Sequence, residues 1–184
     1  MYCKKLENII RNPESDSFQI TISTIKQFDY FVKNKLSSFE LDNINPIKFS
    51  IEMKINYETS LMFFIIGSRE SLFQLQAFYY CECGIQHKIE NLEDELECEC
   101  ENTISPAHQR DRVFLYFKLL ENPTPCNSFS TNRESQLDYL KGEYLMEKQQ
   151  LSLADLDTVI GVDSSNQILI NQSREETFKR YLEE

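Results

Sequence analysis

The stretch LFQLQAFYYCECG, residues 72–84, is a run of apolar and aromatic side chains that leads directly into two cysteines. Its composition reads as a β-strand, with a turn signal ahead of it at Gly67-Ser68-Arg69-Glu70. Two segments upstream read the same way. In IKFSIEMKIN, residues 47–56, Ile47, Phe49, Ile51, Met53 and Ile55 alternate with polar residues, the period of a half-buried strand. SLMFFIIG, residues 60–67, is apolar on both faces and reads as a central strand. The links between these segments are too short for crossover helices, so the expected arrangement is an antiparallel meander.

Working outward, Phe18, Ile20 and Ile22 also alternate, after which the apolar phase shifts through Ile25, Phe28 and Phe31. A bent strand or a change from strand to helix fits that shift. Residues 1–16 read as a short helix or arm, carrying Leu6, Ile9 and Ile10. Residues 112–122, RVFLYFKLLEN, form either a closing strand or a short buried helix, since periodicity alone does not separate the two. The proline-rich stretch 122–132 is the candidate linker. Beyond it, Leu137, Leu140, Tyr144 and Leu151 fall near helical spacing. Ser152 with Asp155, and Ser173 with Glu176, make capping-box starts for further helices. The expected fold is α+β. An antiparallel sheet body spans about 17–120 within a β-rich domain of residues 1–125. A mostly helical subdomain follows at 133–184.

The cysteines carry the strongest chemical signal. Of the six, Cys81, Cys83, Cys98 and Cys100 fall within 20 residues, as Cys81-Glu82-Cys83-Gly84 and Cys98-Glu99-Cys100. On a strand, residues i and i+2 point to one side, so each pair presents two sulfurs together. A hairpin over residues 81–100 brings the pairs face to face and supplies the four tetrahedral sulfurs that zinc takes. Gly84 suits a tight turn in which amides approach the thiolates. His87 is an alternative ligand in place of one later cysteine. Four protein ligands leave no open position, and neither HExxH nor a deaminase HxE…PCxxC pattern is present, so the expected zinc is structural. The plainer reading is four reduced cysteines on two strands, which does not explain why both members of both pairs point one way. A redox switch is a third, and the nearby acid disfavours it by raising thiol pKa values. Cys3 and Cys126 complete the six, and a cytosolic chain is expected to keep all of them reduced.

Charge and scarcity exclude much else. The 30 acidic residues outnumber the 19 basic ones, giving a net charge of −11. Such a surface repels phosphate backbones and anionic lipid, and no Lys/Arg cluster offsets it. Nucleic acid and membrane are therefore not expected partners, and a protein with a basic patch is. No apolar stretch reaches membrane-spanning length, and the start lacks a secretory pattern, which predicts the cytoplasm. With 4 glycines there is no P-loop and no GxGxxG. The histidines are His87 and His108, and no GxSxG elbow accompanies them.

Glu52-x-Lys54 on an expected strand, with Asp42 upstream, resembles the metal-binding set of PD-(D/E)xK nucleases. That resemblance implies Mg²⁺ on Asp42 and Glu52 and a water oriented by Lys54. The plainer reading makes Glu52 and Lys54 the polar side of a strand. Phe63, Phe64, Phe73, Phe78, Tyr79 and Tyr80 read as sheet core. A second sheet face is either covered by the C-terminal helices or open to a client. The expected function is a non-catalytic accessory subunit that binds a larger protein. A Mg²⁺-dependent nuclease and a chaperone-like binder of unfolded segments are the alternatives.

Overall fold

The computed structural model describes residues 1–126 and 150–155. Among them lie helices α1 (Tyr2–Arg11), α2 (Pro13–Ser17), α3 (Ile22–Asn34), α4 (Pro46–Met53) and α5 (Tyr57–Arg69). The strands are β1 (Phe73–Tyr80), β2 (Gln86–Ile89), β3 (Leu96–Glu97), β4 (Thr103–Ile104) and β5 (Val113–Leu119). The fold is thus α+β with a small antiparallel sheet. One sheet has the order β2-β1-β5, and β3 pairs with β4. The described residues divide into two compact units, residues 1–74 with 117–126, and residues 75–116 with 150–155. Most of the helical subdomain expected at 133–184, including the Ser173/Glu176 box, lies outside the described residues.

The first unit corrects the strand readings between residues 17 and 67. Helices α2, α4 and α5 each begin at an asparagine side-chain cap. Asn12 Oδ1 accepts from Glu14 N–H at 3.0 Å, Asn45 Oδ1 from Ile47 N–H at 2.9 Å, and Asn56 Oδ1 from Glu58 N–H at 2.7 Å. At the head of α3, Thr21 N–H donates to Thr24 Oγ1 at 3.1 Å. Pro13 and Pro46 occupy first-turn positions, where a missing N–H costs nothing. Residues 47–53 therefore lie in α4 and form no strand. Ile47, Phe49, Ser50 and Met53 face the core, while Ile51 is 50% exposed. Lys54 adopts the left-handed conformation, φ 53°, and closes the helix, with Ile55 N–H reaching back to Ser50 O at 3.0 Å.

The expected central strand 60–67 lies within α5. It is apolar all round because it is a core helix buried on most sides. Phe18, Ile20 and Ile22 form no strand, and the phase shift through Ile25, Phe28 and Phe31 is the buried face of α3.

These helices converge on phenylalanine. Phe28, Phe49, Phe63, Phe64, Phe73 and Phe117 are fully buried. Ring centroids lie 4.8 Å apart for Phe28–Phe63 and Phe64–Phe73, and 5.1 Å for Phe64–Phe117. Tilted and edge-on pairs of this kind add about 0.5–1.5 kcal/mol each beyond the area they bury. Gly67 lets α5 approach this cluster. A Cβ built there would stand 2.5 and 2.6 Å from ring atoms of Phe73 and 3.3 Å from Ile9. Alanine is the better helix former by about 1 kcal/mol. The ring it would strike is locked among other rings, however, and overpacking costs about 1–3 kcal/mol. Gly67→Ala is expected to lower stability by up to about 2 kcal/mol, measured by urea unfolding; a raised midpoint refutes this packing.

The disulfide Cys3–Cys126 also belongs to the first unit. It overturns the expectation that all six cysteines are reduced. The two residues are 123 apart in sequence, and no local spacing announces their meeting.

The second unit contains most of β1 and the start of β5. Here the strand reading of 72–84 holds over Phe73–Tyr80, and of the two readings of 112–122 the strand is the one formed; in both strands every second residue from Phe73 and from Val113 is buried. β1 and β2 pair antiparallel, from Ala77↔Ile89 to Tyr80↔Gln86. On the other face, Phe78 meets Tyr116 at 5.8 Å and Tyr80 meets Phe114 at 5.3 Å, all four half-buried. Leu115 N–H donates to Leu151 O at 2.9 Å. Ser152 and Asp155 form the expected capping box, with Ser152 N–H to Asp155 Oδ2 at 3.0 Å. No described helix is long and apolar enough to cross a membrane.

Candidate metal centre

β1 ends at Tyr80, and Cys81 and Cys83 follow in a tight turn rather than on the strand itself. Cys81 N–H donates to Ile85 O at 2.9 Å and Gly84 N–H to Cys81 O at 2.9 Å. The same turn recurs after β3, where Cys98 N–H donates to Asn102 O at 3.0 Å and Glu101 N–H to Cys98 O at 2.8 Å. The fourth residue of each turn has positive φ, 88° at Gly84 and 66° at Glu101. Gly84 takes this conformation freely, as its position in the sequence led one to expect. Glu101 takes it at a cost, and its role in a second copy of the turn is not visible in its residue type. The expectation of two sulfurs on one side of a strand is corrected: the turns aim the sulfurs.

The turns bring the four sulfurs within 4.8 Å of one another. Cys81 Sγ lies 3.5 Å from Cys100 Sγ, and Cys83 Sγ lies 3.4 Å from Cys98 Sγ, so each close pair joins one turn to the other. A metal with bonds of 2.3 Å to four tetrahedral sulfurs requires sulfur separations of about 3.8 Å, within this range. Cys81 and Cys98 are buried, Cys83 and Cys100 exposed. This is the group among the described residues whose donor atoms converge as a metal requires.

The electrostatics point the same way. The Cys83 amide donates to the Cys81 sulfur and, with help from the neighbouring thiols, draws the Cys81 pKa down to about 6. The Cys98 sulfur accepts from the Cys100 amide, but burial and the three other thiols outweigh that bond and push its pKa up to about 12. Four thiols this close cannot all ionise alone, because each thiolate repels the next. A soft divalent cation removes the conflict, and thiolate is the donor such cations select. The arrangement can therefore hold a metal ion.

Surrounding groups hold the turns in place. Tyr79 OH donates to Gln109 Oε1 at 2.7 Å. Arg112 pairs with Glu82, the residue between the first two cysteines, at 2.6 Å. His87, placed by β2 opposite Tyr79, has Nε2 3.2 Å from Cys98 Sγ. His108 is exposed in a turn.

The other set of candidate residues does not lie on a strand. Glu52 lies on α4, not on a strand, and pairs with Lys35 at 3.2 Å. Asp42 lies in a 3₁₀ turn and pairs with Lys118 at 3.0 Å. Lys54 is the left-handed residue that closes α4. Each carboxylate thus has its own lysine. No protein-family model matches the chain, and neither curated proteins nor solved structures yield a match. Fold and site define an α+β protein with a four-cysteine, metal-competent cluster.

Proposed function

We propose that the protein is a non-catalytic accessory subunit, whose acidic hairpin, stapled by a structural zinc ion, docks on a basic surface of a larger protein. The convergence of four sulfurs carries this reading. Four cysteine ligands fill a tetrahedron and leave no position for a substrate or an activated water. Zinc suits the set because it binds thiolate tetrahedrally without redox chemistry. The surroundings supply the docking chemistry. Glu90, Glu93, Asp94, Glu95, Glu97, Glu99 and Glu101 are all exposed on or beside the hairpin. Complementary charge of that density speeds association and selects partners by sign.

The test compares the full chain with a Glu93→Lys/Asp94→Lys/Glu95→Lys variant. Each is immobilised and exposed to extract of the source cells at low salt, with captured proteins quantified by mass spectrometry and affinities then measured on the purified partner. A basic partner is expected that binds the wild type, is lost as salt screens the charges, and binds the variant at least tenfold more weakly. Equal binding by the variant, with its metal content unchanged, refutes the acidic docking surface.

A further inference from the structure

We propose that His87 is a hydrogen-bond donor to the metal-bound Cys98 thiolate, not a ligand, and that this bond makes the centre hold its metal. The inference rests on the metal reading above and assigns the role of one residue within it.

Cys81 and Cys98 are the buried sulfurs, and of the two it is Cys98 that has an imidazole nitrogen beside it. It is 5% exposed, so water supplies little hydrogen bonding to it, unlike the exposed Cys83 and Cys100. A centre of four thiolates around a divalent cation carries two net negative charges. It sits beside Glu97, Glu99 and Glu101, which deepen the negative potential. Donors aimed at the sulfurs relieve it. Backbone amides serve Cys81, through Cys83 N–H, and Cys83, through Ile85 N–H. Cys98 accepts from the Cys100 amide and has the His87 ring as a further neighbour, with Nε2 at 3.2 Å.

The chemistry of the contact sets its direction. A metal-bound thiolate carries no proton, so the sulfur only accepts and the proton must reside on Nε2. The four sulfurs already converge without the ring, and a histidine bonded to the metal through Nε2 would have to displace one of them. β2 holds the ring in place through the cross-strand register Tyr79↔His87, and Ile89 of the same strand is buried. Partners that hold first-sphere ligands by hydrogen bonds typically raise metal affinity 10–100-fold.

The experiment uses the full chain as wild type, His87→Ala and His87→Gln, each loaded with Co²⁺ as a spectroscopic probe and with Zn²⁺ for affinity. The absorption of tetrahedral cobalt and its sulfur charge-transfer bands report the ligand set. Competition with a chromophoric chelator reports zinc affinity. His87→Ala is expected to keep the four-sulfur spectrum of the wild type yet bind zinc about 10–100-fold more weakly. His87→Gln, which retains an N–H donor, is expected to recover part of that loss. A His87→Ala spectrum with a changed ligand field makes His87 a ligand and overturns the inference. So does zinc affinity unchanged by the alanine, or an equal loss in the glutamine variant, which would mark a packing role only. A wild type that takes up neither metal fails at the earlier step and refutes the metal centre itself.

Discussion

Stripping the metal, or replacing its ligands as Cys98→Ser/Cys100→Ser, is expected to unfold residues 81–104 while the helices of the first unit persist. The reason lies in what that segment buries. Its buried side chains are Cys81, Ile89, Cys98 and Ile104, and β3 and β4 are two residues each. Two-residue strands give few ladder bonds, and two isoleucines bring only about 3–6 kcal/mol of apolar burial. Ordering more than twenty residues costs far more, about 1–2 kcal/mol per residue for the backbone alone. A structural zinc supplies about 10–16 kcal/mol in small zinc-folded peptides at neutral pH, the scale needed. The first unit has its own core of packed phenylalanines and α-helices and does not draw on the metal.

Amide hydrogen exchange is the measurement. The wild type is expected to contain about one zinc per chain and to protect the amides of Cys81, Gly84, Cys98 and Glu101, which donate within the two turns. The serine variant is expected to lose both. Acid acts in the same direction, since the ligands must be deprotonated to bind and lowering the pH returns protons to them. Unchanged protection with zinc absent would refute the staple.

Breaking the Cys3–Cys126 bond is expected to cost about 4 kcal/mol. The bond joins the first turn of α1 to the segment that follows β5, across 123 residues of sequence. Closing a loop of that length in the unfolded chain removes about 4–5 kcal/mol of entropy, and measured values for such bonds cluster at about 2–4 kcal/mol. Weaker contacts support the same junction. Lys5 pairs with Glu121 at 2.8 Å, and Lys33 Nζ donates to Thr124 O at 3.3 Å. Surface contacts of this sort contribute about 0–1 kcal/mol and do not replace a covalent link. A Cys126→Ser variant is expected to melt about 10 °C lower than the oxidised wild type, on the usual scale for a chain of this size. Peptide mapping without reductant is expected to recover Cys3 linked to Cys126, with Cys81, Cys83, Cys98 and Cys100 free as thiols or metal-bound. Two free thiols at positions 3 and 126 in native protein, or identical melting of the variant, would overturn the clasp.

The turn at Gly84, the strand β1 and the α+β class were legible in the residues themselves. Cysteines spaced i, i+2 with Gly84 behind the first pair announce convergent sulfurs. Gln74 and Gln76 between buried residues announce β1. The signals that start α4 and α5 are Asn45-Pro46 and Asn56 with Glu58, where a capping side chain and a first-turn proline or acid stand together. The strand reading of 47–56 rests instead on the alternation at Ile47, Phe49, Ile51 and Met53. Residues four apart, such as Phe49 and Met53, share a face in a strand and in a helix alike, and Ile51 is the residue that breaks the tie by facing solvent.

What residue order determined by itself is the chemistry that needs only neighbours: a turn with two sulfurs, a strand with one buried face, a cap beside its helix. Tertiary structure decided the rest. Whether an apolar segment becomes strand or helix depends on what covers it, and here the covering surface is a cluster of phenylalanines drawn from five separate elements. Whether Cys3 meets Cys126, and whether His87 reaches Cys98, depends on chain segments that only packing brings together. Local forces act over a few residues and leave a pattern in the sequence; contacts closed by collapse leave none until the chain has folded around them.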